Sequence, residues 1–504
     1  PSKRSAQCFQ AFSDLVRAAW EATDATALSA VYRFLQNPDA VRAARAQLPA
    51  EATASSVFSF VHPHQAPALV SDDERVARWW RAQFAGGAEN TGRLRCVVTG
   101  EPVGALKPHE SVKGVPGGQS SGAALVSFNH DVYESYGLSR FENAPLHSRV
   151  ATGYVRALNR LLSRRPSNPR YGQQPGENGY LPQRCYALST QQSVLLYWAR
   201  QSDPFEDQFA SWFDVSEGDV QTLLQKAERG GGDDGALDTN RFYALILSGA
   251  QGRSILRSWI DVSLGQVKRN LARYFQDLQI VGLEGHGSAL RLRSLLEATA
   301  PLGKGDAIHP ALEEALVRAA MQGAALPPLL LQQVVLRLAG QSADGTLSGY
   351  RWTQRAALLR AYLNRRRRGQ REVTVQLDES NHDPAYLLGR SFAILEKLQK
   401  DAVNPGQTIR DRFYASASMA PASVMPRLIR GAQPHISKAK NGGYLHKKLG
   451  DVLAGVRQFP STLDLTSQGL FALGYYHQNH ALYQSKGADT SPAEQHEIQQ
   501  PQGE

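Results

Sequence analysis

Hydrophobic residues recur at helical spacing near the start of the chain. Between Cys8 and Leu48, Phe9, Phe12, Leu15 and Val16 follow this spacing and no glycine interrupts it. A repeat of three to four residues is the pattern of a helix that buries one face. The segment therefore predicts two or three helices.

Helical spacing also dominates after Gly265, where strand signals almost disappear. The segments that carry it are Pro310–Ala325, Leu329–Leu338, Tyr350–Arg365 and Tyr386–Lys400. On a helical wheel of the last segment, apolar Leu388, Phe392 and Leu395 share one face, and basic Arg390, Lys397 and Lys400 lie opposite. This wheel predicts one packed side and one outer side able to meet phosphate.

Between Ser56 and Ser263, short β-prone runs alternate with helical ones. The predicted strands are Val57–Val61, Arg95–Val98, Ala123–Phe128, Ser193–Trp198 and Tyr243–Leu247, and Ser254–Ile260 fits a strand or a helix. The predicted helices are Glu74–Phe84, Ser148–Leu162 and Val220–Arg229. Runs rich in proline, glycine and asparagine predict surface loops at Arg164–Asn178 and Gly230–Gly235.

The fold class predicted from these patterns is an α+β N-terminal region with mixed short strands and helices, followed by an all-α C-terminal helical bundle. A chain of 504 residues exceeds a single core, since domains hold roughly 100–200 residues each. The predicted division is 1–264 for the α+β region, 265–372 for a helical connecting region, 373–486 for the bundle and 487–504 for a polar tail. The polar stretch Asp378–Asp383 and the basic run Arg365–Arg371 mark the second boundary.

Net charge, cysteine spacing and hydropathy indicate the class of partner and the cellular compartment. The net charge of +10 favours a polyanionic partner. Cys8, Cys96 and Cys185 form no CxxC pair, which predicts reduced thiols in the cytoplasm. No apolar run reaches the ~18–20 residues that span a bilayer, so we expect a soluble cytoplasmic protein with no membrane partner. The chain begins at Pro1 without methionine, so we expect a preceding segment to be missing.

The segment Lys113–Gly122 is the most distinctive local sequence. Gly117, Gly118 and Gly122 permit positive φ and close backbone approach, and the polar residues between them can bond to base edges or phosphates. The glycine spacing matches a P-loop, but alanines follow in place of the Lys-Ser/Thr pair that binds phosphate and Mg²⁺. A hairpin loop without a ligand remains the alternative.

Two clusters of basic residues stand out. The first has no acidic residue between its ends and comprises Arg355, Arg360, Arg365, Arg366, Arg367, Arg368 and Arg371. The second comprises Lys438, Lys440, Lys447 and Lys448. Such clusters can follow a phosphate backbone or form a solvated face. A tight turn at Ser248–Arg253 also presents Arg253, with internal packing as the equal alternative.

Signals for catalysis are weak. His130-Asp131 and His382-Asp383 have the form used by metal-dependent HD nucleases, but further ligands are not identifiable. The chain contains no HExxH and no GxSxG motif. We therefore expect no catalytic residue, no metal ligand and no cofactor.

Short distinctive motifs are dispersed along the chain at Cys96–Glu101, Lys113–Gly122, Ser127–Asn129, Ser135–Gly137, Asn143–Pro145, Ile246–Arg253, Tyr386–Arg390, Leu395–Gln399 and Gly474–Gln478. In this order they resemble the large subunit of the type I-C (Dvulg subtype) CRISPR Cascade surveillance complex. The resemblance covers about Ala6 to Tyr483. Each motif is short, and their number and order make the resemblance specific.

The resemblance implies a non-catalytic subunit of an RNA-guided complex. Its partners would be the CRISPR RNA, target double-stranded DNA with its displaced strand, the Cascade backbone and 5′-handle-binding subunits, the small subunit, and a helicase-nuclease recruited after DNA binding. The subunit would recognise the short duplex motif beside the target, the PAM, and help to open the DNA. Its C-terminal bundle would resemble the small subunit, which can arise by internal translation, here at Val373 or Val375.

The predicted sites follow from this role. We expect the PAM region to be contacted by Lys113, Gly117, Gly118, Gln119, Ser120, Ser121 and Asn129. We expect nucleic-acid backbones to be held by Arg253, Arg390, Lys397, Lys400, Lys438, Lys440, Lys447 and Lys448. Two alternatives remain: a metal-dependent nuclease that uses the His-Asp pairs, and an assembly subunit that contacts only protein and guide RNA.

Overall fold

The computed structural model describes residues 3–49, 52–53, 56–61, 69–85, 94–104, 106–163, 185–188, 193–206, 209, 239–283, 287–340, 349–366 and 372–484. These form two compact units, one made of residues 1–110 and 126–156 and the other of residues 111–125 and 157–504. The predicted helix Val220–Arg229, the predicted loops Arg164–Asn178 and Gly230–Gly235, and the tail 487–504 lie outside the described residues.

The first unit begins with helices α1 (Lys3–Thr23), α2 (Thr26–Gln36) and α3 (Pro38–Ala46), which confirms the helices predicted there. Helix α4 (Glu74–Ala85) also agrees with the sequence pattern. Their core contains Val16, Leu28, Val31 and Leu35. These apolar positions explain why the segment folds, because each helix buries one stripe of side chains against its neighbours.

Three of the predicted strands are wrong. Val57–Val61 and Arg95–Val98 each contribute one isolated bridge, and Ala123–Phe128 contributes bridges only at its first two residues. At Cys96 the reason is a tight turn, in which the Gly100 N–H donates to the Cys96 carbonyl at 2.8 Å. Gly100 has a φ of +72°. The chain therefore reverses before a ladder can extend.

A four-stranded antiparallel sheet begins the main part of the second unit. Its strands are β1 (Cys185–Ala187), β2 (Ser193–Ala199), β3 (Arg241–Ala250) and β4 (Arg253–Ser263), in that order across the sheet. Strands β2 and β3 confirm the predicted ones, and β4 shows that the ambiguous run is a strand. Gln251 and Gly252 both have positive φ and form the two-residue turn of the β3–β4 hairpin.

The described chain after Ser263 is largely helical, which confirms the all-α prediction, and helix α5 precedes the sheet. The helices are α5 (Ser148–Leu162), α6 (Leu264–Leu278), α7 (Leu292–Thr299), α8 (Pro310–Gln322), α9 (Pro328–Ala339), α10 (Gly349–Arg366), α11 (Pro384–Val403), α12 (Ile409–Met419), α13 (Pro421–Gly431), α14 (Gln433–Lys438), α15 (Gly442–Leu453) and α16 (Leu465–Gln484). Proline begins several of them, as it suits the first helical position. None of the helices in the described ranges is long and apolar enough to cross a membrane.

Helices α11 and α16 cross at two glycines. A Cβ added to Gly389 would lie 2.0 Å from the Phe471 carbonyl oxygen, and one added to Gly474 would lie 2.1 Å from the Tyr386 carbonyl oxygen. The helices therefore touch backbone to backbone, an approach that only glycine allows. This crossing places α11 at the centre of the bundle.

One continuous core joins the sheet, the connecting helices and the bundle. The Tyr476 hydroxyl donates to the Val281 carbonyl at 2.7 Å and lies 3.0 Å from the Thr353 hydroxyl. The Trp352 ring stacks on Tyr475 with centroids 5.7 Å apart. Contacts of this kind bind α16 to helices that precede it by more than a hundred residues.

Candidate nucleic-acid interface

A closed loop is formed by residues 113–122. Val112 and Ala123 exchange two backbone hydrogen bonds, of 2.9 and 2.8 Å, and so bring the ends of the loop together. Inside it, the Gly118 N–H donates to the Val115 carbonyl and the Gly122 N–H to the Gln119 carbonyl. These two turns give the loop a defined backbone.

The loop packs against the turn of the β3–β4 hairpin. The Gly249 N–H donates to the Pro116 carbonyl at 2.7 Å, and the Ala124 N–H donates to the Gly252 carbonyl at 2.9 Å. A Cβ added to Gly249 would lie 2.1 Å from the Gly118 nitrogen. The sequence pointed to each glycine-rich segment separately, and the structure brings the two segments together.

Glycine is required in the loop for internal packing. Gly117 has a φ of +76°, and a Cβ there would lie 2.7 Å from the Gly249 carbonyl oxygen. Gly122 has a φ of +109°, and its added Cβ would lie 2.7 Å from the Ser111 Cβ. The close approach that the sequence predicted for these glycines is therefore made to the protein itself, at Gly249 and Ser111.

The loop presents polar side chains to solvent. Lys113, Gln119, Ser120 and Ser121 are all exposed, and the Lys113 N–H donates to the Asn159 Oδ1 at 2.7 Å. The rigid support holds these side chains with little freedom in the backbone below them. Hydroxyl, amide and ammonium groups so placed can bond to base edges and phosphates.

Two further residues predicted to contact nucleic acid, Arg253 and Asn129, lie in different compact units. Arg253 begins β4 beside the same hairpin turn and is half-buried. Asn129 is exposed but belongs to the other compact unit. The structure thus groups Arg253 with the loop, and Asn129 is an exposed residue of the first unit.

A second basic surface lies on α14 and α15. Lys438, Lys440 and Lys447 are exposed there, and Tyr444 beside them is 61% exposed. The two helices meet tightly, because a Cβ added to Gly442 would lie 1.9 Å from the Ile436 carbonyl oxygen. We call these three lysines the lysine surface.

A cavity of about 700 Å³ opens next to the lysine surface. Its lining comprises Glu379, His382, Leu387, Arg390, Tyr444, Lys447, Lys448, Asp451, Val452, Ala454 and Gly455. The Glu379 carboxylate is 3.4 Å from Lys448 Nζ and 3.8 Å from Arg390 Nη2. Sequence reasoning treated Glu379 only as part of a polar boundary, although it is the counter-ion of two of the cavity's cations.

The predicted outer basic face of α11 is wrong. Every residue from Ala385 to Leu398 is buried, because α11 is surrounded by other helices of the bundle. Arg390 is 4% exposed and donates to Gln478 Oε1, and burial lowers its pKa. Lys397 is 4% exposed and binds Asp401. Lys400 pairs with Glu396 at 2.8 Å.

The arginine cluster at 355–371 is not a continuous positive surface, because Arg355, Arg360 and Arg365 are directed into the protein and Arg366 alone among its described members is exposed. Arg355 donates to the Ala298 carbonyl at the end of α7, and Arg360 donates to the Gln276 and Asp277 carbonyls at the end of α6. Arg365 binds the Asp277 carboxylate at 2.6 Å. These side chains cap helix C-termini, whose last carbonyls lack partners within the helix. Arg367, Arg368 and Arg371 lie outside the described residues.

The His-Asp pairs have no metal-binding neighbours in the described ranges. Asp383 is the N-cap of α11, where its carboxylate accepts bonds from the Ala385 and Tyr386 amides. His130, Asp131 and His382 are exposed. Within the described ranges, no three His, Cys, Asp or Glu side chains are grouped so that they could hold a metal ion.

Comparison with known proteins identifies the family of this chain. A family model described as CRISPR-associated protein (Cas_Csd1) matches residues 1–483. A search of curated proteins gave no match. The matched segment contains both the loop at residues 113–122 and the lysine surface. This chain belongs to the Cas_Csd1 family of CRISPR-associated proteins.

Proposed function

We propose that this chain is the non-catalytic large subunit of a type I-C CRISPR surveillance complex. In this role it recognises the PAM duplex, helps to open the target DNA and recruits a helicase-nuclease that cuts the DNA. Membership of the Cas_Csd1 family supports a role beside other CRISPR-associated proteins and the guide RNA. We place this role in the cytoplasm as part of the proposal. Base pairing with the guide would read the long target, so the protein needs only a few base contacts.

The observation that carries PAM recognition is the rigid mounting of the loop at residues 113–122. Its exposed Gln119, Ser120 and Ser121 stand on a backbone fixed by the β3–β4 hairpin. An amide side chain can both donate a hydrogen bond to a base edge and accept one from it. Lys113 supplies a positive charge that can pair with a phosphate. Preorganised groups lose little entropy on binding, so a short loop can discriminate between duplexes.

Replacing Gln119 and Ser120 by alanine tests this proposal. We expect PAM-dependent binding to weaken by about tenfold or more, since a good side-chain contact to a base supplies ~1–3 kcal/mol of discrimination. The measurement is a gel-shift titration of the assembled complex with cognate and scrambled PAM duplexes. Alanine at exposed Ser163 is the control, and we expect no change for it.

Unchanged discrimination in the double variant would remove the loop from the PAM site. A wild-type complex that itself shows no difference between the two duplexes would instead support a subunit that contacts only protein and guide RNA. The wild-type lanes separate these two results, because the wild-type complex discriminates between the duplexes in the first and not in the second.

We further propose that the lysine surface guides the displaced DNA strand. Lys438 and Lys447 are exposed on adjacent helices and Lys440 is exposed in the turn between them. No fixed base contact is needed to follow a nucleic-acid backbone. Opening the duplex costs ~1.4 kcal/mol per base-pair step, a cost that PAM contacts and captured phosphates offset together. Unwinding would then begin from binding energy without ATP.

Changing Lys438, Lys440 and Lys447 to glutamine should make binding of single-stranded DNA less salt-dependent. Each lost phosphate contact lowers the slope of log K against log salt by about 0.7, so three contacts give a change of roughly 2. The measurement is fluorescence anisotropy of a labelled oligonucleotide over a salt series. Lys304→Gln, at another exposed lysine, is the control for loss of a single positive charge elsewhere on the surface, and we expect no change in slope for it.

A second variant removes a negative charge and is therefore expected to have the opposite effect on binding. Glu379→Gln removes the carboxylate that competes with phosphate for Lys448, so it should raise affinity for the same oligonucleotide. A triple-lysine slope equal to that of wild type would show that this surface is solvated or faces protein.

A further inference from the structure

Three aromatic rings form a cluster on one face of the four-stranded sheet. Trp198 on β2 pairs directly with Tyr243 on β3, and Tyr243 pairs with Asp261 on β4. Trp259 lies two residues before Asp261, so its side chain is on the same face. The ring centroids are 5.5 Å apart for Trp198 and Tyr243 and 5.8 Å from each of these to Trp259.

The cluster is at the open end of this face. Trp259, at the β4 side of the sheet, is 49% exposed, and Trp198 and Tyr243 are half-buried. Leu196 and Leu245, which pair across the sheet in the same row as Trp259, are 0% and 6% exposed. The opposite face of the sheet already supplies the core through Leu195, among other residues. A tryptophan ring left open to water on a sheet, beside two half-buried aromatic rings, is informative because the core does not require it there.

Two arginines border the rings. The Arg200 N–H donates to the Arg241 carbonyl at 2.7 Å, which places these residues side by side in the row beyond Trp198 and Tyr243. Arg200 is exposed. The Arg241 Nε donates to the Asp261 carboxylate at 2.8 Å, so its guanidinium is held next to the cluster. Guanidinium groups bind phosphate and also stack on flat rings.

We propose that this aromatic cluster is a stacking site for unpaired nucleotides of a single-stranded nucleic acid. The rings of Trp198, Tyr243 and Trp259 receive the faces of one or two bases, and Arg200 and Arg241 contact the adjoining phosphates. An open sheet face that carries aromatic rings is a general solution for holding splayed bases. The bordering arginines favour a polyanion over an apolar peptide. This site is separate in sequence from the loop at residues 113–122 and from the lysine surface.

The test uses the full chain with Trp259→Ala and Trp259→Phe. We expect the alanine variant to bind a short single-stranded oligonucleotide about fivefold or more weakly, the lower limit for loss of one stacked base. Phenylalanine should restore most of the affinity because it keeps a ring. Leu256→Ala is the matched control, since Leu256 is 51% exposed on the same strand but carries no ring.

Oligo-dT, oligo-U and a duplex of equal length distinguish the ligand. A preference for either single strand over the duplex supports the site and shows whether DNA or RNA occupies it. Arg200→Gln should also lower the salt slope by about 0.7, a change that a purely structural arginine would not cause. If Trp259→Ala binds every oligonucleotide as wild type does, the proposal is overturned, and loss of complex assembly in that variant would assign the cluster to a protein partner.

Failure of this site and failure of the proposed function give different results. If the Trp259 variants leave binding intact while the triple-lysine variant changes its salt slope, only the stacking site is wrong. If the reverse holds, the stacking site stands and the lysine surface does not guide DNA.

Discussion

Gly249→Ala should abolish PAM discrimination while leaving the helical bundle folded. The added methyl group would lie 2.1 Å from the Gly118 nitrogen and 2.6 Å from the Gly117 carbonyl carbon. Both are backbone atoms, so no side-chain rotation relieves the overlap, and the loop must move away from the hairpin. The exposed residues at 119–121 would then lose their fixed position, and we expect at least a tenfold loss of discrimination, since each base contact is worth ~1–3 kcal/mol.

The measurement is titration of the assembled complex with cognate and scrambled PAM duplexes, together with far-ultraviolet circular dichroism of the free chain. Gly153→Ala is the matched control, because Gly153 lies in helix α5 with open space around its Cβ position. A Gly249→Ala complex that still discriminates as wild type does would show that PAM recognition does not depend on the docked loop.

Gly389→Ala and Gly474→Ala should each strongly destabilise the bundle. Their methyl groups would lie 2.0 and 2.1 Å from carbonyl oxygens of the facing helix, so α11 and α16 must separate by about 1 Å. Because α11 is buried along most of its length, this separation disturbs contacts on all its sides. We expect a loss of about 3 kcal/mol in the free energy of unfolding for each variant, the upper end for an overpacked core.

Scanning calorimetry of the free chain provides the comparison. Gly450→Ala is the control: Gly450 lies in α15 with nothing within 4 Å of its Cβ position, and alanine there should stabilise the helix by up to ~1 kcal/mol. The double variant should lose less than the sum of the two single losses, since one separation accommodates both methyl groups. Midpoints equal to that of wild type would contradict the backbone contact.

The helices were predictable because their signals are local. Ser148–Leu162 carries a regular apolar repeat, and helix α5 has the same limits. The burial of α11 on all sides was not predictable. A helical wheel shows which residues share a face, but it does not show how many of the faces are covered by neighbouring helices. Arg390 is buried beside Gln478, a partner 88 positions away in the chain.

The candidate interface was predictable only in parts. The sequence singled out both the segment at 113–122 and the turn at 248–253, since glycine and polar residues mark each one. Their contact depends on Gly249 and Gly118 meeting across more than a hundred residues, and no local pattern encodes that meeting. The aromatic cluster was missed for the same reason: Trp198, Tyr243 and Trp259 become neighbours only once the strand register is known.

The continuous core limits what a shortened polypeptide can be. A chain that started at Val373 would keep α11 to α16 but would lack Trp352, Thr353 and the carbonyl of Val281. The side of the Tyr475 ring that stacks on Trp352 would be uncovered, and the Tyr476 hydroxyl would need another acceptor. Such a free-standing bundle would expose an apolar aromatic patch that is buried in the full-length protein. It would depend on a neighbouring molecule to cover that patch.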